Sequence, residues 1–185
     1  MRKIILCLAT SLDGYIEGPN GEIDWMEFSE ETGKALGTFL QEIDTILYGR
    51  VSYEAWGNYM PPENAPAFEK DFYEITNSMQ KYVFSRSKEK FEGGPIVIQN
   101  NLEQTMLELK ARPGKNIWLY GGASLVTSFV NLGLIDEFRI AVIPIILGSG
   151  KPLFKDIQKR VKLKLLKIDS DDTGIVSYNY QKLDD

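Results

Sequence analysis

The sequence predicts an α/β fold, a mostly parallel sheet covered on both faces by helices and made mixed by an antiparallel hairpin at its carboxyl end. Three observations predict it. Apolar, β-branched segments alternate with helical ones along most of the chain, the pattern of strands joined by crossover helices. The carboxyl end breaks that rhythm: Val161, Leu163 and Leu165 alternate with Lys162 and Lys164, and after a turn over 169–174 a second alternating run reaches Lys182. An apolar share of 43% over 185 residues allows one sizeable core, so residues 1–185 read as a single domain.

The first strand covers residues 3–10. Met1-Arg2-Lys3 and the apolar run behind it share features with a signal peptide, but the run is short and leads into Ser11-Leu12-Asp13-Gly14, so a buried strand fits better. Further strands fall at 43–48, 80–85, 95–98, 116–120 and 135–143. Asp24, with Glu27 three residues on, has the spacing of a capping box and starts a helix that reaches Gln41. Asn101 and Gln104 repeat the signature ahead of Met106, Leu107 and Leu109. Other helices run from Pro66 to Asn77 and from Ala123 to Leu132, the last closed by Gly133.

Composition narrows the chemistry. A formal charge of -5 gives no basic footprint, so no nucleic-acid partner is expected. No run of about eighteen apolar residues occurs, so no membrane span is expected, and a single cysteine makes no internal disulfide. The cytoplasm is the expected compartment. With no histidine, serine–histidine and cysteine–histidine pairs and histidine metal sites are excluded, and one cysteine builds no thiolate cluster, so no metal site is expected. An enzyme of this composition works through carboxylates, hydroxyls, lysines or a bound cofactor.

Ligand sites of such sheets lie outside the carboxyl ends of the strands, and four segments fall there. In Tyr48-Gly49-Arg50-Val51-Ser52-Tyr53 a strand meets a short helix, with amides, the Ser52 hydroxyl and the Arg50 charge suited to a phosphate. The same residues also suit a tight turn with a solvated arginine. In Ile117-Trp118-Leu119-Tyr120-Gly121-Gly122-Ala123-Ser124 two glycines let backbone approach a pyrophosphate, or simply turn the chain. Tyr82-Val83-Phe84-Ser85-Arg86-Ser87-Lys88 ends a strand in hydroxyls and cations, which either meet a polyanion or face solvent. The segment from Ala9 through Asp13-Gly14 and Asn20-Gly21 to Trp25 reads as two turns, compatible with a mobile lid.

In this order, strand then Ser-Leu-Asp-Gly, strand then Gly-Arg-x-Ser, strand ending Ser-Arg-Ser and strand then Gly-Gly-Ala resemble the dihydrofolate reductase-like superfamily. The stretch Pro144-Ile145-Ile146-Leu147-Gly148-Ser149-Gly150-Lys151-Pro152-Leu153-Phe154 is similar to that of the carboxyl-terminal reductase domain of bacterial riboflavin-synthesis enzymes. The resemblance covers nearly the whole chain. It implies a dihydrofolate reductase-like three-layer fold with an eight-stranded sheet and four flanking helices, NADPH as cofactor, and a homodimer. By position it places Ala9 beside the nicotinamide pocket, Gly49, Arg50 and Ser52 at the phosphates, Ser85 and Arg86 at the adenosine end, Gly121, Gly122 and Ala123 at the pyrophosphate, and Trp25 beside the substrate. Cys7 stands where the riboflavin-pathway reductases carry a lysine, and Tyr120 where they carry an acidic residue before the double glycine. Both departures argue against that pathway's pyrimidine substrate.

The expected activity is therefore hydride transfer from NADPH to a small heterocyclic or carbonyl-type acceptor, related to 5-amino-6-(5-phosphoribosylamino)uracil reductase and dihydrofolate reductase. Asp13 and Glu31 are the candidates for proton delivery, beside water; Asp13 also suits the partner of a turn glycine. The alternative is a non-catalytic NADPH-binding module or sensor on the same fold.

Overall fold

The alternation of apolar and helical segments resolves, over residues 1–183 described by the computed structural model, into ten strands and five helices. In chain order they begin with β1 (Ile4–Ser11), β2 (Tyr15–Glu17), α1 (Glu30–Leu40), β3 (Ile43–Gly49), α2 (Arg50–Trp56), α3 (Ala67–Ser78), β4 (Gln80–Phe84) and β5 (Ile96–Ile98). They continue with α4 (Leu102–Ala111), β6 (Asn116–Gly121), α5 (Ala123–Asn131), β7 (Glu137–Ile143), β8 (Lys151–Pro152), β9 (Leu163–Ser170) and β10 (Val176–Lys182). The strands make a mixed eight-stranded sheet and a separate two-stranded one. The chain divides into two units, one of residues 1–2 and 28–122, the other of residues 3–27 and from 123 onward.

In the first unit the strands lie in the order β5-β4-β3-β6, all parallel. Their near-continuous apolar sequences follow from burial: Ile43, Ile46 and Leu47 of β3 and Ile117 and Leu119 of β6 are all but inaccessible. The buried Arg2 guanidinium is satisfied by the Asp44 carboxylate and by Thr45 Oγ1 at 2.7 Å, so its charge is not left unpaired. Helix α1 starts later than the Asp24–Glu27 spacing predicts. Its cap is Ser29, whose hydroxyl accepts the Thr32 amide, and Glu30 and Glu31 fill the first turn where negative charge meets the helix dipole. Residues 24–27 lie outside any helix, in a stretch where the Met26 amide bonds to the Ile23 carbonyl. Asn101 does precede α4, but in a left-handed conformation and without a side-chain cap; Gln104 instead bonds to Glu108.

In the second unit β1 pairs with β7 in parallel, and β7 with β10 and β10 with β9 antiparallel, which is the hairpin the alternating carboxyl-terminal runs require. Helix α5 ends as its sequence indicates. Gly133, at φ +66°, donates to Val130 while the next amide, of Leu134, reaches back to Phe129, a glycine-centred helix stop. Strands β2 and β8 form the two-stranded sheet, and neither is visible in the apolar pattern because three and two residues are too few to show a period.

Candidate functional site

Parallel pairing of β3 with β6, in register Tyr48 to Gly121, sets two glycine-bearing strand ends side by side. A side-chain carbon on Gly49 would stand 3.3 Å from the Gly122 nitrogen and 3.4 Å from the Gly121 oxygen, and one on Gly122 would stand 3.2 Å from Ser52 Oγ. Gly121 has φ +123°, a conformation side chains rarely adopt, and the Gly121–Gly122 peptide is cis. Gly49, Ser52, Gly121 and Gly122 thus gather into one cradle of bare backbone and a hydroxyl. Any Cβ at Gly49 or Gly122 would crowd it, and Gly49, Ser52 and Gly122 keep partial solvent access. Such a cradle fits a diphosphate, which needs close backbone approach and donors rather than bulk. Ala123 opens α5 directly after it.

The neighbouring strand end adds charge. Gly49 lies opposite Phe84 of β4, so the turn beginning at Ser85 is adjacent to the one beginning at Gly49. Ser85 is buried and its hydroxyl accepts the Lys88 amide at 3.0 Å, which fixes the turn, while Arg86 is exposed. Arg50 and Lys88 converge on one carboxylate: Glu54 Oε2 accepts from Arg50 Nη1 at 2.8 Å and Oε1 from Lys88 Nζ at 2.7 Å. The Lys88 hydrogen bond, with a smaller contribution from Arg50, holds the Glu54 carboxyl below its usual range. Lys88 also sits 4.7 Å over the Phe91 ring.

Tyr48 and Tyr120, the residues just before Gly49 and Gly121, lie in contact with ring centroids 4.7 Å apart and planes tilted by 36°. Burial pushes both phenols above their usual range. Tyr73 is likewise raised to about 12 by burial.

In the second unit Ala9 is paired with Ala141 and partly exposed. Trp25 lines a cavity of about 430 Å³ together with Gly18, Glu22, Asp24, Ile145 and Leu147, its indole donating to the Glu22 carbonyl at 3.2 Å. Asp13 is occupied. Its carboxylate accepts from Ser11 Oγ at 2.7 Å and from the amides of Leu147 at 3.1 Å and Gly148 at 2.8 Å. The Ser11 bond foremost, then the two amides, lowers its pKa. The β2–β8 pairing and a Glu17–Lys151 ion pair tie the same two segments at a second point. Glu31 is exposed on the first turn of α1, in the first unit.

Of the residues singled out from sequence, the structure brings Gly49, Ser52, Gly121 and Gly122 together and sets Arg50 near Lys88. Sequence reasoning missed Glu54. Its i,i+4 spacing from Arg50 was visible, but Lys88 lies 34 residues further along. It also missed the bonds from Asp13 across 134 and 135 residues.

The model of the RibD C-terminal domain family matches residues 2–177. The uncharacterized protein YyaP of Bacillus subtilis is 48% identical over 179 residues, covering 97% of this chain and 94% of that one. Among solved structures, a putative riboflavin biosynthesis protein from Shewanella superposes with a TM-score of 0.79 at 22% identity, each chain covered in full. Dihydrofolate reductase from Enterococcus faecalis, complexed with NADP(H) and RAB-propyl, superposes with a TM-score of 0.67 at 15% identity over 98% of this chain and 97% of that one. These structural likenesses show a fold shared with both proteins, and the family match leads to one assignment: the chain belongs to the RibD C-terminal domain family.

Proposed function

We propose that the protein is an NADPH-dependent oxidoreductase that reduces a small heterocyclic or carbonyl-type acceptor, acting in the cytoplasm as a homodimer. The observation that carries this reading is the cradle of Gly49, Ser52, Gly121 and Gly122, which a single Cβ would crowd, in a chain whose family shares its fold with reductases. A bound NADPH supplies the hydride. The chain's own residues bind and orient: the cradle and Ala123 take the pyrophosphate, Arg50, Ser85 and Arg86 the adenosine end, Ala9 borders the nicotinamide and Trp25 the acceptor. Orientation of this kind accounts for much of the rate in a reaction whose chemistry resides in the cofactor. Asp13, held ionised by the Ser11 hydroxyl and two amides, is better suited to anchoring than to giving up a proton. Glu31, exposed on the first turn of α1, and water itself are the remaining candidates for delivering the proton.

The test is NADPH oxidation across pterins, pyrimidines, quinones and aldehydes, beside calorimetric binding of the nucleotide. Oxidation by one of these acceptors, lost in Gly122→Val, is the expected result. Binding without oxidation by any acceptor favours the non-catalytic module, the reading that the half-buried, neutral Tyr120, in place of an acidic residue, supports. No binding at all defeats both.

A further inference from the structure

Arg50 and Lys88 come from the ends of two adjacent parallel strands, and each is paired to a different oxygen of the same carboxylate, Glu54. All three side chains are between about a third and a half exposed. An ion pair at such exposure is weak and its partners exchange readily with solvent ions. The arrangement is therefore not a rigid strut. It is two cations held ready on one small patch by an anion of their own chain.

We propose that Glu54 is the specificity-determining residue of this patch: its carboxylate occupies the place of a phosphomonoester, and a nucleotide's ribose phosphate binds by displacing it from Arg50 and Lys88. The inference rests on the NADPH reading above and deepens it. A carboxylate offers two acceptor oxygens and one negative charge, whereas a phosphomonoester near neutral pH offers three oxygens and about 1.5 to 2 charges. Both present oxygens to the same two donors, Arg50 Nη1 and Lys88 Nζ, and the phosphate, with more charge and more acceptors, wins. Displaced, Glu54 stays nearby as a like charge, tethered one helical turn from Arg50, and so limits how tightly the phosphate is held. For a nucleotide with a free ribose hydroxyl there is no phosphate to compete, and Glu54 stays on its two cations. Glu54 thus sets the ratio between phosphorylated and unphosphorylated nucleotide, while the cradle at Gly49 and Gly122 binds the part they share.

The patch is assembled without the ligand. Ser85 holds the Lys88 backbone, the Phe91 ring lies under its ammonium, and Glu54 gathers the Arg50 guanidinium beside it, so part of the ordering that binding requires is already in place although the pairs themselves exchange.

Calorimetric titration of Glu54→Gln and the wild type with NADPH and with NADH, at low salt, tests the proposal. Glu54→Gln is expected to tighten NADPH about fivefold to tenfold and to change NADH less than about twofold, with the gain shrinking as ionic strength screens the exposed charges. Lys88→Met is expected to loosen NADPH by a similar factor and to leave NADH unaltered. Equal changes for both nucleotides, no change, or weaker NADPH binding in Glu54→Gln overturns the proposal and leaves the cofactor reading standing. Absence of binding by either nucleotide to wild type and variants alike overturns the cofactor reading, and this proposal with it.

Discussion

Gly49 and Gly122 approach so closely that a methyl group on the first would lie 3.3 Å from the amide nitrogen of the second. The contact is backbone, which cannot swing aside as a flexible side chain can. Gly49→Ala is therefore expected to weaken NADPH roughly tenfold, equivalent to about 1.4 kcal/mol, by parting the two strand ends. Gly122→Val, whose Cβ meets Ser52 Oγ at 3.2 Å, is expected to abolish measurable binding. Circular dichroism should show both proteins folded. If Gly122→Val binds like the wild type, the double glycine is only a turn.

Arg50→Ala addresses the charge rather than the shape of the same region. Charge-assisted bonds to phosphate contribute about 1.5 to 3 kcal/mol each, so removing one should reduce NADPH affinity on the order of tenfold and affect NADH little. A ligand confined to the folded state raises the melting temperature with its affinity. NADPH should therefore shift the wild type more than equal NADH, and the gap should narrow in Arg50→Ala. Equal shifts in the wild type would mean that no cation reads the ribose phosphate.

These two experiments rest on residues readable from sequence, because strand, glycine and helix follow one another locally. The long strands and α3, α4 and α5 were likewise legible, each having enough residues to show its period. What escaped was either competitive or distant. Asp24 and Glu27 had the spacing of a helix start, yet Ser29 with Glu30 and Glu31 offers a hydroxyl cap and two favourable charges, and the helix takes the later start. The role of Glu54 depends on Lys88, and the role of Asp13 on Leu147 and Gly148. Only the packed chain brings those partners together.

The bonds of Asp13 give a pH dependence whose sign is fixed. Its folded pKa lies below the usual 3.8, chiefly through the Ser11 hydroxyl, so its contribution is fully present above that value and is lost as pH falls through the lower folded value. At neutral pH, Asp13→Ala should therefore speed amide hydrogen exchange at Leu147 and Gly148, whose acceptors it removes, and loosen the wall that Leu147 gives to the Trp25 cavity. Wild type should lose the same protection, measured against the intrinsic exchange rate at each pH, only on acidification below the ordinary carboxylate range. Unchanged exchange in Asp13→Ala would mean that the β2–β8 pairing alone holds the segment.

The hairpin of the second unit leads to the last expectation, a homodimer. Strand β9 is at the sheet edge, with β10 as its neighbour, and all eight of its residues are exposed. Register pairs Tyr178 with Ile168 and Tyr180 with Leu165, so these four side chains share one face, where the two tyrosine rings stack at 6.0 Å. Ile168 is 52% and Leu165 45% exposed, an apolar strip on an edge of the kind that invites pairing unless something covers it. A second copy of the chain, related by a twofold axis, would cover it with the same strip. Light scattering at micromolar concentration should then give twice the 21.0 kDa chain mass. Ile168→Arg, which sets two like charges against each other across the axis, should weaken association tenfold or more, on the order of the 1.4 kcal/mol that such a factor represents. A wild-type mass of 21.0 kDa would remove the dimer and leave the cradle at Gly49 and Gly122 untouched, since that cradle is made wholly within the first unit of one chain.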